Sequence, residues 1–392
     1  MPAKAYRKTS RPSPAYLQSL VFGLALLLGA GTVSAQIRTV LVSPVPGDPV
    51  ASGTALRNAL NGISSPSSSN RWLLKIEPGI YDVGTVSLVM RPFVDIEGSG
   101  MGVTTIRGSA VDFNGTIHGA SSAELRLLTV EAAGNASSVP GPIAMANYQG
   151  ASPRLYRVKF STTGTAPTAW GIRNSNSTPL IEECEIIVNS TGTNSSAYGL
   201  MFRNDPRSGG CELPAGRTSI LRTKIAVSGP GTNHGLAMAG GQFVSEIRDS
   251  RMDVNGGNTT YGIYAWKDSA SCDWLGSEAL QIKNTEILTS GGSSASYGVK
   301  IESGVVPPVR LSFDIVGGRV WGSNYGIVQG GPNPIGIQGS SVLGFTKTVE
   351  TAGNISIATT LLYGGPATAQ GWIGCMGVWD ENAIFYAQGA CP

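Results

Sequence analysis

The chain has 392 residues, of which 53 are glycine, and only 14% of its residues are charged. Globular proteins are about 25% charged and about 7% glycine, so this composition excludes a coiled coil, a charged helical bundle and a charged disordered protein. It favours many short strands joined by tight turns. The net charge is +3, but four basic residues lie in the first 35 residues, which contain no acid, so the rest of the chain carries −1. A near-neutral body excludes the electrostatic footprint of a nucleic-acid-binding protein.

The N-terminal segment has the three-part pattern of a secretory signal. Basic residues precede an apolar run over 20–30, and the small residues Val33, Ser34 and Ala35 end it. We predict a signal peptide over 1–35, cleaved near Ala35, followed by a single domain over 36–392. The sequence contains no second apolar span, so we expect the mature chain to lack a membrane span and to be secreted or held in the cell envelope.

The sequence repeats itself from about Leu155 onward. A triplet of an aromatic residue, a glycine and an aliphatic residue recurs, with a histidine once in the aromatic position. The triplets begin at Trp170, Tyr198, His234, Tyr261, Tyr297 and Tyr325. Between triplets lies a second strand whose ends are aliphatic residues five apart, such as Ile181 and Ile186. Repeats of this length with two or three short strands are typical of a β-solenoid.

We therefore predict an all-β fold, a single-stranded right-handed parallel β-helix with a short N-terminal capping helix. The helix is expected over 52–63, capped by Ser52 or Thr54. A C-terminal cap is expected over 355–392, closed by a disulfide between Cys375 and Cys391, since an exported protein can form disulfides.

Stacked coils place equivalent residues in columns along the solenoid axis. One charged column contains Lys159, Glu185, Lys224, Arg251, Glu286 and Arg319, and a second contains Arg157, Glu183, Arg222, Asp249 and Asn284. Their signs mostly alternate, which favours a structural salt ladder over a catalytic cleft. The small residues between the two columns should point inward. The aromatic and aliphatic residues of each triplet are two apart, so we predict an internal aromatic stack, with His234 as a stacked ring rather than a catalytic base.

The first coils carry a family resemblance. Three segments, 75–81, 94–100 and 104–108, are similar to the first coils of pectin methylesterases and, more broadly, to the pectin-lyase-like superfamily of right-handed parallel β-helices. The resemblance implies that fold. In the esterases, two aspartates and an arginine carry the activity. Phe313-Asp314-Ile315-Val316-Gly317 and Gly318-Arg319-Val320-Trp321 match those motifs in part, which makes Asp314 and Arg319 weak catalytic candidates. The two motifs are adjacent here, whereas several coils separate them in the family.

Coil spacing varies on one turn of the repeat, so the longer coils must bulge there, and loops on a rigid scaffold commonly bind ligands. Two such loops span 203–212 and 266–274. We predict that they bring Cys211 and Cys272 into disulfide range. The predicted ligand-binding residues are Arg203, Arg207, Trp266, Asp268, Asp273 and Trp274. The competing interpretation is that Trp266 and Trp274 only pack beneath the loops and do not bind a ligand. No motif for a metal, a cofactor or a nucleophilic triad accompanies them.

These patterns predict an exported, non-catalytic protein that binds a polysaccharide or another surface ligand through its long loops. The first alternative is a pectinesterase-like or pectate-lyase-like enzyme acting on an acidic polysaccharide. The second is a structural or adhesive surface protein. The oligomeric state and the identity of the ligand stay open at this point.

Overall fold

The computed structural model describes residues 37–110, 112–134, 141–205, 216–240, 244–266, 280–302, 313–389 and 391–392. The predicted signal peptide over 1–35 lies outside these ranges. Residues Ile37–Pro392 form one compact unit, and in its described part every regular element except one helix is a β-strand. Within the described ranges, no helix is both long and apolar enough to cross a membrane.

The strands stack in parallel on three faces of a solenoid. Two long strands, Glu124–Gly134 and Arg154–Gly164, run through both the first and the second face. The other strands of the first face are Arg38–Val42, Trp72–Ile76, Val94–Glu97, Leu180–Glu182, Thr218–Leu221, Val244–Arg248, Leu280–Lys283, Phe313–Val316, Ile335–Gln338, Ile355–Ala358 and Ile373–Trp379. Those of the second face are Gly79–Gly84, Thr104–Gly108, Glu185–Ser190, Lys224–Ser228, Arg251–Asn255, Glu286–Ser290, Arg319–Gly322, Ser341–Gly344 and Leu361–Gly364.

The third face carries the repeated triplets. Its strands are Leu88–Val89, Ile117–His118, Ile143–Asn147, Thr168–Ser175, Ser196–Arg203, Thr232–Ala239, Thr259–Trp266, Ala295–Ile301, Tyr325–Gln329, Lys347–Thr351 and Ala367–Ala369. Each of these strands pairs in parallel with its equivalent in the next coil. The strand pairing therefore confirms the predicted all-β parallel β-helix.

The interior of the solenoid is filled by rows of aliphatic side chains that repeat from coil to coil. On the first face, Ile181, Ile220, Ile247 and Ile282 are in register and buried. Each of them packs on its equivalents in the coils above and below. Burial of apolar surface between identical positions therefore drives the stacking of one coil on the next.

The N-terminal helix spans Pro49–Gly62 and so begins three residues earlier than predicted. Its cap is Asp48, not Ser52 or Thr54. The Asp48 carboxylate accepts a hydrogen bond from the Ala51 backbone N–H at 2.9 Å. Proline occupies the first helical position, where no N–H is needed, so the helix can start there.

The corner between the first and second faces divides what we predicted to be one strand. The second charged column occupies this corner, and its five residues have backbone φ angles between 48° and 53°. A residue in the left-handed region turns the chain from one face to the next. Leu180–Glu182 and Glu185–Ser190 are separate strands there, whereas Arg154–Gly164 bends at Arg157 and continues. The next residue, such as Cys184 or Thr223, points inward as predicted. The Thr223 backbone N–H then donates to Ser250 Oγ at 3.1 Å, which ties one corner to the next.

The first charged column forms the predicted salt ladder along the second face. Glu185 pairs with Lys159 at 3.5 Å, and Glu286 contacts both Arg251 at 2.8 Å and Arg319 at 3.5 Å. These side chains are half-exposed or exposed, so water screens each pair. The ladder therefore adds little free energy to the fold.

Replacing Glu286 by glutamine tests this interpretation of the ladder, because it removes two of the ion pairs. We expect Glu286→Gln to lower the free energy of unfolding by about 1 kcal/mol or less. The difference should shrink when sodium chloride is added. Urea unfolding at low and at high salt measures both quantities. A loss several times larger, and unchanged by salt, would contradict a screened surface ladder.

The C-terminal end is closed by a disulfide and an antiparallel pair of strands. The predicted Cys375–Cys391 disulfide is present, with its Cα atoms 5.5 Å apart. The strand Phe385–Gln388 pairs antiparallel with Ile373–Trp379. Parallel coil pairing continues into Ile373–Trp379, so the departure from the coil pattern begins later than the predicted position 355.

Candidate functional site

The aromatic residues of the triplets point out of the solenoid, which corrects the predicted internal stack. Leu200 and Phe202 belong to the central core, whereas Tyr198 and Met201 belong to a second cluster on the outer side of the third face. The intervening glycine causes this arrangement. A Cβ atom on Gly199 would lie 2.6 Å from a core isoleucine methyl group, so the glycine occupies an inward position. The in-and-out alternation of a regular strand slips by one residue there in every coil, so the strands stay in register and residues two apart no longer share a side.

The outward rings form a continuous aromatic row along the solenoid axis, made of Trp170, Tyr198, His234, Tyr261, Tyr297 and Tyr325. Neighbouring ring centroids are 4.6 to 6.0 Å apart, and neighbouring planes differ by 3° to 20°. Each inner ring is covered on both faces by its neighbours, so the row presents ring edges to the outside. His234 is a stacked ring, as predicted. Burial lowers its pKa to about 3, so it is uncharged at neutral pH.

Tyr264 and Trp266 widen the aromatic row on its own face. Their ring centroids are 4.8 Å apart, and Tyr264 lies 4.4 Å from Tyr261. The neighbouring strand has Ala237 and Ala239 at the corresponding positions, and these small side chains leave room for the two larger rings. Trp266 remains half-exposed. The third face therefore offers aromatic surface beside the edges of the row.

A polar cluster, defined as His118, Tyr148, Arg173, Ser175 and Asp205, lies on the same face in the earlier coils. The Arg173 guanidinium lies over the Phe113 ring at 4.5 Å and over the Tyr148 ring at 5.1 Å. It donates a hydrogen bond to the Tyr148 hydroxyl, which in turn donates to the Phe113 backbone carbonyl. Arg173 is only 9% exposed. The cluster therefore holds a nearly buried positive charge.

Asp205 is fixed at the edge of this cluster. The Ser175 hydroxyl donates to its carboxylate, and Arg203 pairs with it at 2.8 Å. The Asp205 backbone N–H donates to Asn176 Oδ1 at 2.9 Å, and Asn176 Nδ2 donates back to the Asp205 carbonyl at 2.8 Å. Because both its side chain and its backbone are held, the carboxylate stays directed toward Ser175 and Arg203.

Burial sets the protonation states in the cluster. It raises the pKa of Tyr148 to about 12 although Arg173 opposes this, so the hydroxyl stays protonated and donates a hydrogen bond. Burial also lowers the pKa of His118, against the opposing effect of Asp112, so its imidazole is neutral at neutral pH. His118 Nδ1 lies 3.2 Å from Asn114 Oδ1, and the His118 and Tyr148 ring centroids are 5.7 Å apart.

Two of the six predicted ligand-binding residues lie in the described ranges, and the fold brings them into one column. Arg203, Ala239 and Trp266 are in register on three successive strands, so Arg203 and Trp266 stand two strands, or about 10 Å, apart. The long connections also leave from this face, as predicted, from Arg203 to Thr218 and from Trp266 to Leu280. The remaining predicted residues lie outside the described ranges, namely Arg207, Asp268, Asp273 and Trp274, together with Cys211 and Cys272.

The weak catalytic candidates Asp314 and Arg319 are not brought together. Arg319 pairs with Glu286 in the salt ladder, and its guanidinium lies 4.6 Å from the centre of the Trp321 ring. Asp314 is exposed on the first face, in register with Gln281. Within the described ranges, no group of three or more His, Cys, Asp or Glu side chains is placed to hold a metal ion.

Sequence reasoning missed the polar cluster because its members do not share a position in the repeat. Arg173 occupies the outward position where the next coils have Met201, Ala237 and Tyr264. The same column contains Lys300 and Glu350 farther along the solenoid, so the charge of Arg173 alone does not mark the cluster in the sequence. Tyr148 lies in a coil that precedes the first triplet, where the repeat gives no guidance.

Comparisons with known proteins show no family for this chain. No family model matches the chain, and no curated protein matches it. The A-module of the mannuronan C-5 epimerase AlgE4 from Azotobacter vinelandii is a similar solved structure, at 12% identity and TM-score 0.43, over 83% of this chain and 94% of that one. Tailspike protein 3 of bacteriophage CBA120 is similar at 14% identity and TM-score 0.35, over 94% and 65%. PfbA, a surface adhesin of Streptococcus pneumoniae, is similar at 8% identity and TM-score 0.30, over 87% and 91%.

Proposed function

We propose that the outer side of the third face is a polysaccharide-binding surface of an exported protein. The observation that carries this proposal is the combination, on one face, of the half-exposed Trp266, the edges of the aromatic row and the charged Arg203. Aromatic side chains with polar groups beside them suit ligands that have both apolar and polar surfaces, as sugars do. A row that repeats along the solenoid axis also suits a linear polymer. The Cys375–Cys391 disulfide fits an extracellular or envelope location.

Substitution of Trp266 tests this proposal, because Trp266 is the largest half-exposed ring on the surface. We expect Trp266→Ala to weaken binding to a retained polysaccharide roughly tenfold, as for the loss of an aromatic anchor. The matched control is Trp321→Ala, which removes a tryptophan that is 36% exposed on the second face. Affinity electrophoresis against pectin, polygalacturonate, dextran and dextran sulfate measures retention. Equal retention of both variants and the wild type would rule out the third face as the polysaccharide-binding surface.

A second candidate function, catalysis on an acidic polysaccharide, is favoured by the state of His118. A general base must be unprotonated at the working pH, and burial keeps this imidazole neutral. If Nδ1–H donates to Asn114 Oδ1, Nε2 keeps its lone pair as a proton acceptor. The Tyr148 hydroxyl nearby remains a proton donor.

Product analysis separates the two functions. We expect wild-type protein incubated with polygalacturonate to retain the polymer without changing it, as judged by mass spectrometry. Methanol from pectin, or shortened or unsaturated products, that disappear in His118→Ala would favour the enzyme. Neither retention nor products would leave the structural or adhesive interpretation.

A further inference from the structure

Arg173 occupies an unusual position among the arginines of this protein. It lies on the outer side of the third face, in register with Ala146 and Met201, and is 9% exposed. The arginines of the salt ladder, such as Arg251, are exposed and pair with carboxylates across neighbouring strands. Arg173 therefore combines a buried charge with apolar neighbours on both flanking strands.

The contacts of Arg173 fix its guanidinium without neutralising it. The Phe113 and Tyr148 rings hold its plane, and within the described ranges the Tyr148 hydroxyl accepts its one hydrogen bond. No carboxylate of the described residues lies within the 4.0 Å of an ion pair with it. Asp205 pairs instead with Arg203 at 2.8 Å, and Asp112 accepts from Asn114 Nδ2 at 2.8 Å. Four of the five guanidinium N–H donors remain for another partner.

The free-energy cost of burial indicates that the Arg173 guanidinium has an anionic partner. Burying a cation without a counter-charge is costly, and folded proteins pair such groups or ligate them. A guanidinium is the group best suited to a carboxylate or a sulfate, because its planar fork donates two parallel hydrogen bonds. The aromatic rings that hold the guanidinium also reduce the entropy lost when an anion binds.

We propose that Arg173, held by Tyr148 and Phe113, is an anion receptor that makes the ligand of this face an acidic polysaccharide, bound through a sugar carboxylate or sulfate ester. This inference rests on the proposed polysaccharide-binding function and names its ligand class. The neighbouring Ser175 hydroxyl and Arg203 are already engaged by Asp205, so Arg173 is the residue that meets the anion.

Two polymer pairs test the inference on the wild-type protein. Polygalacturonate and its methyl ester differ only in free carboxylates, and dextran sulfate and dextran differ only in sulfates. We expect the wild type to bind one acidic member roughly 30-fold more tightly than its neutral partner, as for a charge pair that is removed on one side. The polymer pair whose acidic and neutral members bind with different affinities identifies the anion as carboxylate or sulfate. Equal binding to both members of both pairs would overturn the inference while leaving polysaccharide binding intact.

Variants of Arg173 test whether this residue causes the preference for the acidic polymer. We expect Arg173→Gln to lose that preference, and Arg173→Lys to keep only part of it, because lysine retains the charge without the planar fork. The control Arg251→Gln removes an exposed arginine of the second face and should bind like the wild type. Thermal unfolding first establishes that each variant is folded. A folded Arg173→Gln with the full preference would overturn the inference.

A small-anion experiment separates failure of this inference from failure of the proposed function. If no polymer is retained, the polysaccharide function is wrong. Free galacturonate and sulfate then test the receptor alone, since a ligand that binds the folded state raises the unfolding temperature. A rise in the wild type that is absent in Arg173→Gln supports the receptor, and no rise in either protein contradicts it.

Discussion

Gly262→Ala is expected to destabilise the protein by about 3 kcal/mol, because the third face has no room for one methyl group at this position. A Cβ atom there would lie 2.1 Å from Ile287 Cγ2 and 2.4 Å from the Gly298 carbonyl oxygen. Ile287 is buried in the core, and the carbonyl belongs to the backbone of the neighbouring coil. Relief would require the two coils to move apart, which would also separate the stacked rings of Tyr261 and Tyr297.

Guanidinium unfolding compared with a matched control measures this effect. Gly62→Ala is the control, because nothing lies within 4 Å of its added methyl group. Alanine is also the better helix residue, so Gly62→Ala should be neutral or slightly stabilising. Gly262→Ala with an unfolding midpoint equal to that of Gly62→Ala would mean that the triplet glycine does not face the core, and the outward aromatic row would then be wrong.

Removal of the Cys375–Cys391 disulfide is expected to cost about 3 kcal/mol, the chain-entropy value for a loop of about this size. The two cysteines are 16 residues apart. Cys375 lies in the strand Ile373–Trp379, and Cys391 follows its antiparallel partner Phe385–Gln388. The loss of stability should therefore be confined to this end of the solenoid. We expect Cys375→Ala/Cys391→Ala to be cleaved by thermolysin within 373–388 much faster than the wild type, because the end opens locally.

Cys184→Ala is the control for the disulfide variant. Cys184 is a free and buried thiol, so its loss leaves a small cavity in the middle of the solenoid and no open end. Its cleavage pattern over 373–388 should match that of the wild type. Unchanged cleavage of the double variant would contradict a stabilising role for the disulfide at this end.

Repetition made the fold predictable from the sequence. An aliphatic residue such as Ile181 recurs at the same position in each coil, and stacking turns that recurrence into a buried row. The same logic predicted the salt ladder, since Glu286 meets Arg251 and Arg319 only when equivalent positions lie side by side. Where the position of a residue in the repeat determines which residue it contacts, the sequence is sufficient to predict that contact.

Departures from the repeat were not predictable in this way. The outward direction of Tyr198 depends on a slip of alternation at Gly199, which a count of residues does not reveal. The polar cluster joins Tyr148, Arg173 and Asp205, which share no repeat position. Only the three-dimensional stacking of unequal coils places them together.

Side-chain footprinting with hydroxyl radicals, with and without polygalacturonate, tests the central claim most directly, because it reports which face a ligand covers. The account predicts slower oxidation of Tyr264 and Trp266 on the third face when the polymer is present. Trp321 and Tyr363, which are exposed on the second face, should react at unchanged rates. Protection of Trp321 and Tyr363 instead, or of neither pair by any acidic polymer that the protein retains, would contradict a polysaccharide-binding third face.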